Sequence, residues 1–200
     1  MSAAALAPED QARSNFYALL ARLFYAPPDR ELLDSIAAAE EIHAGDEKTP
    51  LALAWQELKA AAGATEPESA REEYESVFVG TGKAEVTLYT TAYAAGSAAR
   101  NPHHNPLVSI KDFLAVRGLW RKQTVHEPED HIAALCEVMR HLVATEDAAA
   151  QRNFFAQFMQ PAATSLCDAI AGCEHIHFYR PVARFAARFF EIEHTALNLE

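Results

Sequence analysis

The sequence predicts an all-α protein, a single globular bundle of about eight or nine helices, on three observations. Half of the 200 residues are hydrophobic, Ala and Leu prominent among them, and only 7 are glycine. Apolar residues recur at three- and four-residue spacing in segment after segment, which gives a helix one face to bury. Between those segments stand prolines and capping residues where helices start and stop. Two hundred residues suit one domain, or two small intimate ones, with enough chain to bury a core; the reading taken is one domain over 1–200.

In chain order, Pro8 with Glu9 and Asp10 opens a helix carrying Phe16, Leu19, Leu20, Leu23 and Phe24. It must stop by Pro27-Pro28, because proline disfavours helix in the residue before it. Asp29 caps a second helix through Leu32, Leu33 and Ile36, fading towards Gly45. Thr49-Pro50 starts a third, with Trp55 and Leu58 inward and Gly63 as a left-handed stop. Thr65 and Glu68 form a capping box for a fourth, Glu66 to Val79, ended by Gly80. Residues 80–106 are the least regular stretch, with turn-marking Asn101-Pro102 and Asn105-Pro106. A long loop inside a compact helical protein is commonly functional, and Tyr89, Thr91 and Tyr93 argue for ordered contact. Leu107, Ile110, Phe113 and Leu114 make a short helix stopped at Gly118. Further on come an aromatic helix (Phe154, Phe155, Phe158, Met159), another restarted by Pro161 and ending at Gly172, and a last one with Val182, Phe185, Phe189 and Ile192. Pro181 marks the last helix's start or a kink.

The charge balance weighs against whole classes of function. With 28 acidic and 17 basic residues the formal charge is −11, which disfavours nucleic acid and an anionic membrane surface as partners and favours a basic one. Three cysteines, Cys136, Cys167 and Cys173, form no CxxC pair and fit a reducing compartment better than a disulfide scaffold. No signal peptide and no membrane-spanning run is expected. Val79-Gly80-Thr81-Gly82-Lys83-Ala84 fails as a phosphate loop, since Val77 and Ala84 stand where glycine and a hydroxyl are needed. Nine histidines invite a metal reading, but His103-His104 and His175-Ile176-His177 cannot share a helical face, and no catalytic serine elbow or HExxH motif occurs.

One stretch concentrates polar chemistry at the start of an apolar helix, His126 to Val143. Glu127 reads as near the N-cap, Pro128 as the first helical position, and Glu129 and Asp130 as first-turn acids beside the positive end of the dipole. Leu135, Val138, Met139 and Leu142 then supply a core face. Asp130 alone reads equally well as a plain dipole partner, and His131 as a half-buried structural histidine or a general base. Together with Tyr89 and Tyr93 in the irregular loop and an acidic surface, the stretch suits a groove for a peptide with basic residues. A guanidinium pairs bidentately with carboxylates such as Glu127 or Asp130, while the rings hold apolar parts of the same peptide.

Three separated motifs resemble the TorD/DmsD/NarJ family of redox-enzyme maturation chaperones. They are Asn15-Phe16-Tyr17-Ala18-Leu19-Leu20-Ala21-Arg22-Leu23-Phe24, Glu73-Tyr74-Glu75-Ser76-Val77-Phe78-Val79-Gly80 followed by Tyr89-Thr90-Thr91-Ala92-Tyr93, and Glu127-Pro128-Glu129-Asp130-His131. Phe178-Tyr179 and Phe189-Phe190-Glu191 near the end agree. The resemblance implies a cytoplasmic chaperone and no enzyme activity. It implies binding of the twin-arginine signal peptide and apo form of a molybdenum-cofactor (molybdopterin) oxidoreductase, held back from export until the cofactor is in place. A formate dehydrogenase or a dimethyl sulfoxide reductase-type enzyme is the implied client. The implied peptide-binding residues are Phe78, Gly80, Leu88, Tyr89, Thr91, Tyr93, Asp130 and His131, with Glu127 and Pro128 shaping a hinge over 118–128. Leu88 and Thr91 depart from the proline and serine common in the family, which bears on loop rigidity and client identity. No catalytic residue, metal or cofactor is expected, weak guanine-nucleotide binding being implied by the family alone. The alternatives are a helical structural or assembly subunit without signal-peptide binding, and a histidine- or metal-dependent hydrolase using His131.

Overall fold

The computed structural model describes residues 6–42, 49–93, 105–145 and 148–199. Among them the regular structure is helical: α1 (Pro8–Tyr25), α2 (Arg30–Ala38), α3 (Pro50–Ala64), α4 (Pro67–Tyr74), α5 (Pro106–Val116), α6 (Ile132–Ala144), α7 (Ala148–Phe154), α8 (Gln160–Gly172) and α9 (Tyr179–Leu199). The expected all-α class is what the chain adopts. No described helix is long and apolar enough to cross a membrane.

Local chemistry sets most of the boundaries. The Asp29 carboxylate accepts from the Leu32 N–H at 2.8 Å and the Thr49 hydroxyl from the Ala52 N–H at 3.2 Å, satisfying donors that a first turn leaves free. Pro50, Pro67 and Pro106 each occupy a first helical position, where a missing N–H is no loss. Gly118 ends α5 where the sequence places its stop, in the left-handed conformation at φ 67°, with the Leu119 N–H closing back on the Leu114 carbonyl at 3.0 Å.

Five expectations are corrected. Gly63 stays inside α3, and a side chain there would meet the Ala37 Cβ at 3.6 Å; its smallness serves the approach of α2, not a stop. Thr65 makes no capping box, because its hydroxyl donates to the Ala61 carbonyl at 2.7 Å and finishes α3, leaving Glu66 at the start of α4 without a side-chain cap. The fourth helix also changes character, since Glu75–Val79 is a π-turn, as is Phe155–Met159 between α7 and α8. Pro161 therefore follows a widened turn in a continuing helix and restarts nothing. Ile192 on α9 is exposed, although its spacing puts it on the face that buries Val182, Phe185 and Phe189.

The chain divides into two compact units: 1–22, 89–162 and 194–200 form the first, 23–88 and 163–193 the second. The first has an aromatic centre, Phe113, Phe154 and Phe158, with centroids 5.0 to 5.8 Å apart. Buried Gln151 stitches it by donating to the Leu142 carbonyl and accepting from Arg13. The second unit packs Phe78 edge to face with both Tyr74 and Tyr179, those two being tilted to each other, a favourable disposition for rings. Their phenols are satisfied there: Tyr74 donates to the Phe24 and Tyr25 carbonyls and Tyr179 to that of Leu23.

Candidate functional site

The candidate site lies within the first unit, where two segments forty residues apart in sequence meet. Tyr89 pairs with His131 in an isolated antiparallel bridge. The Thr90 N–H and hydroxyl both donate to the Asp130 carbonyl, at 2.9 and 3.0 Å, and the Thr91 hydroxyl donates to Asp130 Oδ2 at 2.5 Å. A turn of 3-10 helix over Thr90–Ala92 brings those hydroxyls to bear. Tyr89 stands outermost, its hydroxyl donating to Glu127 Oε2 at 2.6 Å and its ring edge-on to the His131 imidazole at 5.5 Å.

The approach to α6 differs from the expectation. Residues 127–130 are not its first turn. The His131 N–H returns to the Pro128 carbonyl, α6 begins at Ile132, and His131 is its N-cap, with Nδ1 accepting from the Ala133 N–H at 3.2 Å. The first-turn acids and Pro128 imitate a helix start, but pairing of the Asp130 carbonyl with Thr90 keeps that backbone out of the helix. Arg121 holds the turn from outside: one guanidinium nitrogen faces the carbonyls of Val125, His126 and Glu127 at 3.0, 2.9 and 3.3 Å. Glu129 is drawn to Arg121 and Lys111, at 3.6 and 3.7 Å.

The electrostatics follow from burial. His131 is buried, and desolvation lowers its pKa against the opposing pull of Glu127 and Asp130. It is therefore the neutral ring, and the accepting Nδ1 places its proton on Nε2. The Tyr89 phenol is pushed up to about 12, first by its bond to Glu127 and then by burial, and stays a donor. Asp130 is 5 % exposed, and its Oδ1 is buried with no hydrogen-bond partner among the described residues. A buried acceptor left bare costs about 1–3 kcal/mol, so a native protein that keeps one invites a functional explanation.

Of the ten residues singled out from the sequence, Tyr89, Thr91, Glu127, Asp130 and His131 are joined by these contacts, and Pro128 shapes the turn. Tyr93 closes the 3-10 turn, its N–H on the Thr90 carbonyl. Phe78, Gly80 and Leu88 belong to the second unit, where Phe78 and Leu88 are buried. Gly80 has φ 63°, and a Cβ on it would lie 2.3 Å from the Lys83 carbonyl oxygen, so only glycine fits. Thr90 and Arg121 escaped the sequence reading. Thr90 stood inside a quoted motif, whereas Arg121 had no local signal at all, because its partners are backbone carbonyls. His103 and His104 lie outside the described residues, and no cluster of metal-ligating groups occurs among the described ones.

A family described as the nitrate reductase delta subunit matches residues 45–168, more than half of the chain and all of the Tyr89–His131 cluster. The chain belongs to that family. The nitrate reductase delta subunits are the NarJ/TorD-like chaperones to which the sequence motifs point. Membership implies a redox-enzyme maturation chaperone for molybdoenzymes, a non-catalytic role. The opening-helix motif, 15–24, lies before the matched span. No curated protein matches the chain.

Proposed function

We propose that the chain is a cytoplasmic maturation chaperone that binds the twin-arginine signal peptide and the apo form of a molybdenum-cofactor oxidoreductase. It assists cofactor insertion and delays export until the client has folded. The observation that carries this reading is the bare, buried Oδ1 of Asp130 beside Tyr89 and Glu127. A carboxylate with one oxygen engaged by Thr91 and the other open is one half of a guanidinium site. Glu127 offers the second carboxylate, and the Tyr89 ring a surface for the peptide's apolar stem or a cation–π contact.

Neutral His131 adds no positive charge against an incoming arginine. Tyr89 is the exposed member of the cluster, and a turn of its side chain away from Glu127 opens the way to Asp130. Pro128 and the Arg121 clamp keep the turn in shape while this happens, so that little ordering entropy is lost on binding. Thr91 and Tyr93 act with this cluster as the peptide-binding set. A formate dehydrogenase or a dimethyl sulfoxide reductase-type enzyme is the client.

The test is titration of the full chain with a synthetic leader peptide carrying Arg-Arg or Lys-Lys. The Arg-Arg peptide binds, more weakly as salt rises. Lys-Lys weakens binding by about tenfold or more, because an ammonium cannot pair bidentately. Equal affinity for the two peptides removes arginine-specific pairing.

A further inference from the structure

The first unit carries an exposed patch that the peptide site does not use, at the end of α5. Val116 and Trp120 are 84 % and 75 % exposed, and neither takes part in the aromatic centre around Phe113. Two large apolar side chains this exposed, four positions apart in sequence on either side of a turn, are the starting observation. The patch is also electropositive within an acidic chain. Between Asp112 and Glu127 there are fourteen residues without an acid, holding Arg117, Arg121 and Lys122, whereas the whole chain has 28 acids in 200 residues. Arg117, Arg121 and Lys122 are exposed. Arg117 lies 3.7 Å over the Phe113 ring. Arg121 is partly offset by Glu129, which also faces Lys111, so Arg117 and Lys122 carry most of the free charge. The left-handed turn at Gly118 fixes the ordering of these side chains.

We propose that this turn docks reversibly on an anionic lipid surface, Trp120 and Val116 entering the headgroup layer and Arg117 and Lys122 facing lipid phosphates. Indole rings favour the membrane interface, and each basic side chain near an anionic leaflet adds about 1 kcal/mol. The chain's overall negative charge does not forbid this, since charges beyond about 8 Å are screened at physiological salt and the local patch decides. Size and shape favour a bilayer over a protein. A specific protein interface buries about 800 Å² on each partner, while a buried indole covers about 150–250 Å² and only one other large apolar side chain stands here. A helix end followed by a turn is convex, and a bilayer needs no matching hollow. Val116, Arg117, Trp120 and Lys122, which meet the lipid, make none of the peptide-site contacts; Arg121 stays with the turn that it clamps, and docking does not depend on leader binding.

Fluorescence of the full chain tests this, because Trp55 is buried and Trp120 exposed. In the Trp55→Phe chain, vesicles of phosphatidylglycerol shift Trp120 emission to the blue, salt reverses the shift, and phosphatidylcholine vesicles give none. Should Trp55→Phe fail to fold, co-sedimentation of the unaltered chain with the same vesicles gives the answer. Arg117→Gln with Lys122→Gln lowers the partition coefficient roughly thirty-fold while leader binding persists. Absence of binding to phosphatidylglycerol, or equal binding to both lipids, overturns the proposal. So does a poly-glutamate peptide that binds the patch as tightly as the lipid, which reassigns it to an acidic protein.

Discussion

Two carboxylates in this chain face segments far away in sequence, and they end in opposite conditions. Glu73, in the second unit, accepts from the N–H groups of His177, Phe178 and Tyr179 at 2.9, 3.1 and 2.7 Å, both oxygens engaged. It caps the start of α9, where donors have no partner within the helix and the dipole favours negative charge. Asp130, in the first unit, has one oxygen held by Thr91 and the other bare. The difference separates two uses of the same chemistry. A fully satisfied carboxylate fixes structure, whereas a half-satisfied one keeps bonding capacity in reserve for something outside the chain.

Three substitutions probe that contrast. The largest effect expected is on stability from Glu73→Ala, which frees three donors at once and costs about 2–4 kcal/mol in urea unfolding. A loss below ~1 kcal/mol would show that water caps α9 equally well. Next comes Asp130→Asn, which keeps size and the bond to Thr91 but removes the charge. It lowers leader affinity more than tenfold and leaves the unfolding midpoint within about 1 kcal/mol of the starting chain. The opposite pattern, lost stability with intact binding, would make Asp130 a second Glu73.

The smallest effect is a pH dependence centred on His131. Its pKa is lowered on folding, so the unfolded chain takes up the proton first. His131 therefore supports stability fully above the unfolded value of about 6.5 and progressively less as pH falls below it. Protonation also removes the Nδ1 acceptor that caps α6. His131→Asn, which can cap without titrating, flattens the fall in stability between about pH 6.5 and 5. Parallel curves for the two chains would assign the slope to other histidines.

Much of this fold could be read from one-dimensional pattern. Pro8, Asp29, Thr49-Pro50 and Gly118 act within a few residues of where they stand, and the apolar spacing in α1, α6 and α9 has one interpretation. The failures share a cause. Pro128 with Glu129 and Asp130 is a good local helix start, but it loses to Thr90, whose bonds to Asp130 span forty positions. Thr65 had two plausible uses, and the end of α3 took it in preference to the start of α4. Within the candidate site, residue types that pair with arginine were visible in Tyr89, Glu127 and Asp130. The bare Oδ1 was not, because an unmet bond is a property of packing. Arg121 was invisible for the same reason.

The buried thiols have a practical consequence. Cys136 and Cys167 are covered, in the first and second units respectively, and burial pushes the Cys167 thiol up to about 12, so neither presents a nucleophile while its surroundings are closed. An alkylating reagent can then modify them only in molecules that have momentarily come apart around that sulfur. With Cys173 also buried in the second unit, the chain thus contains its own stopwatches, one timing the breathing of the first half and two that of the second.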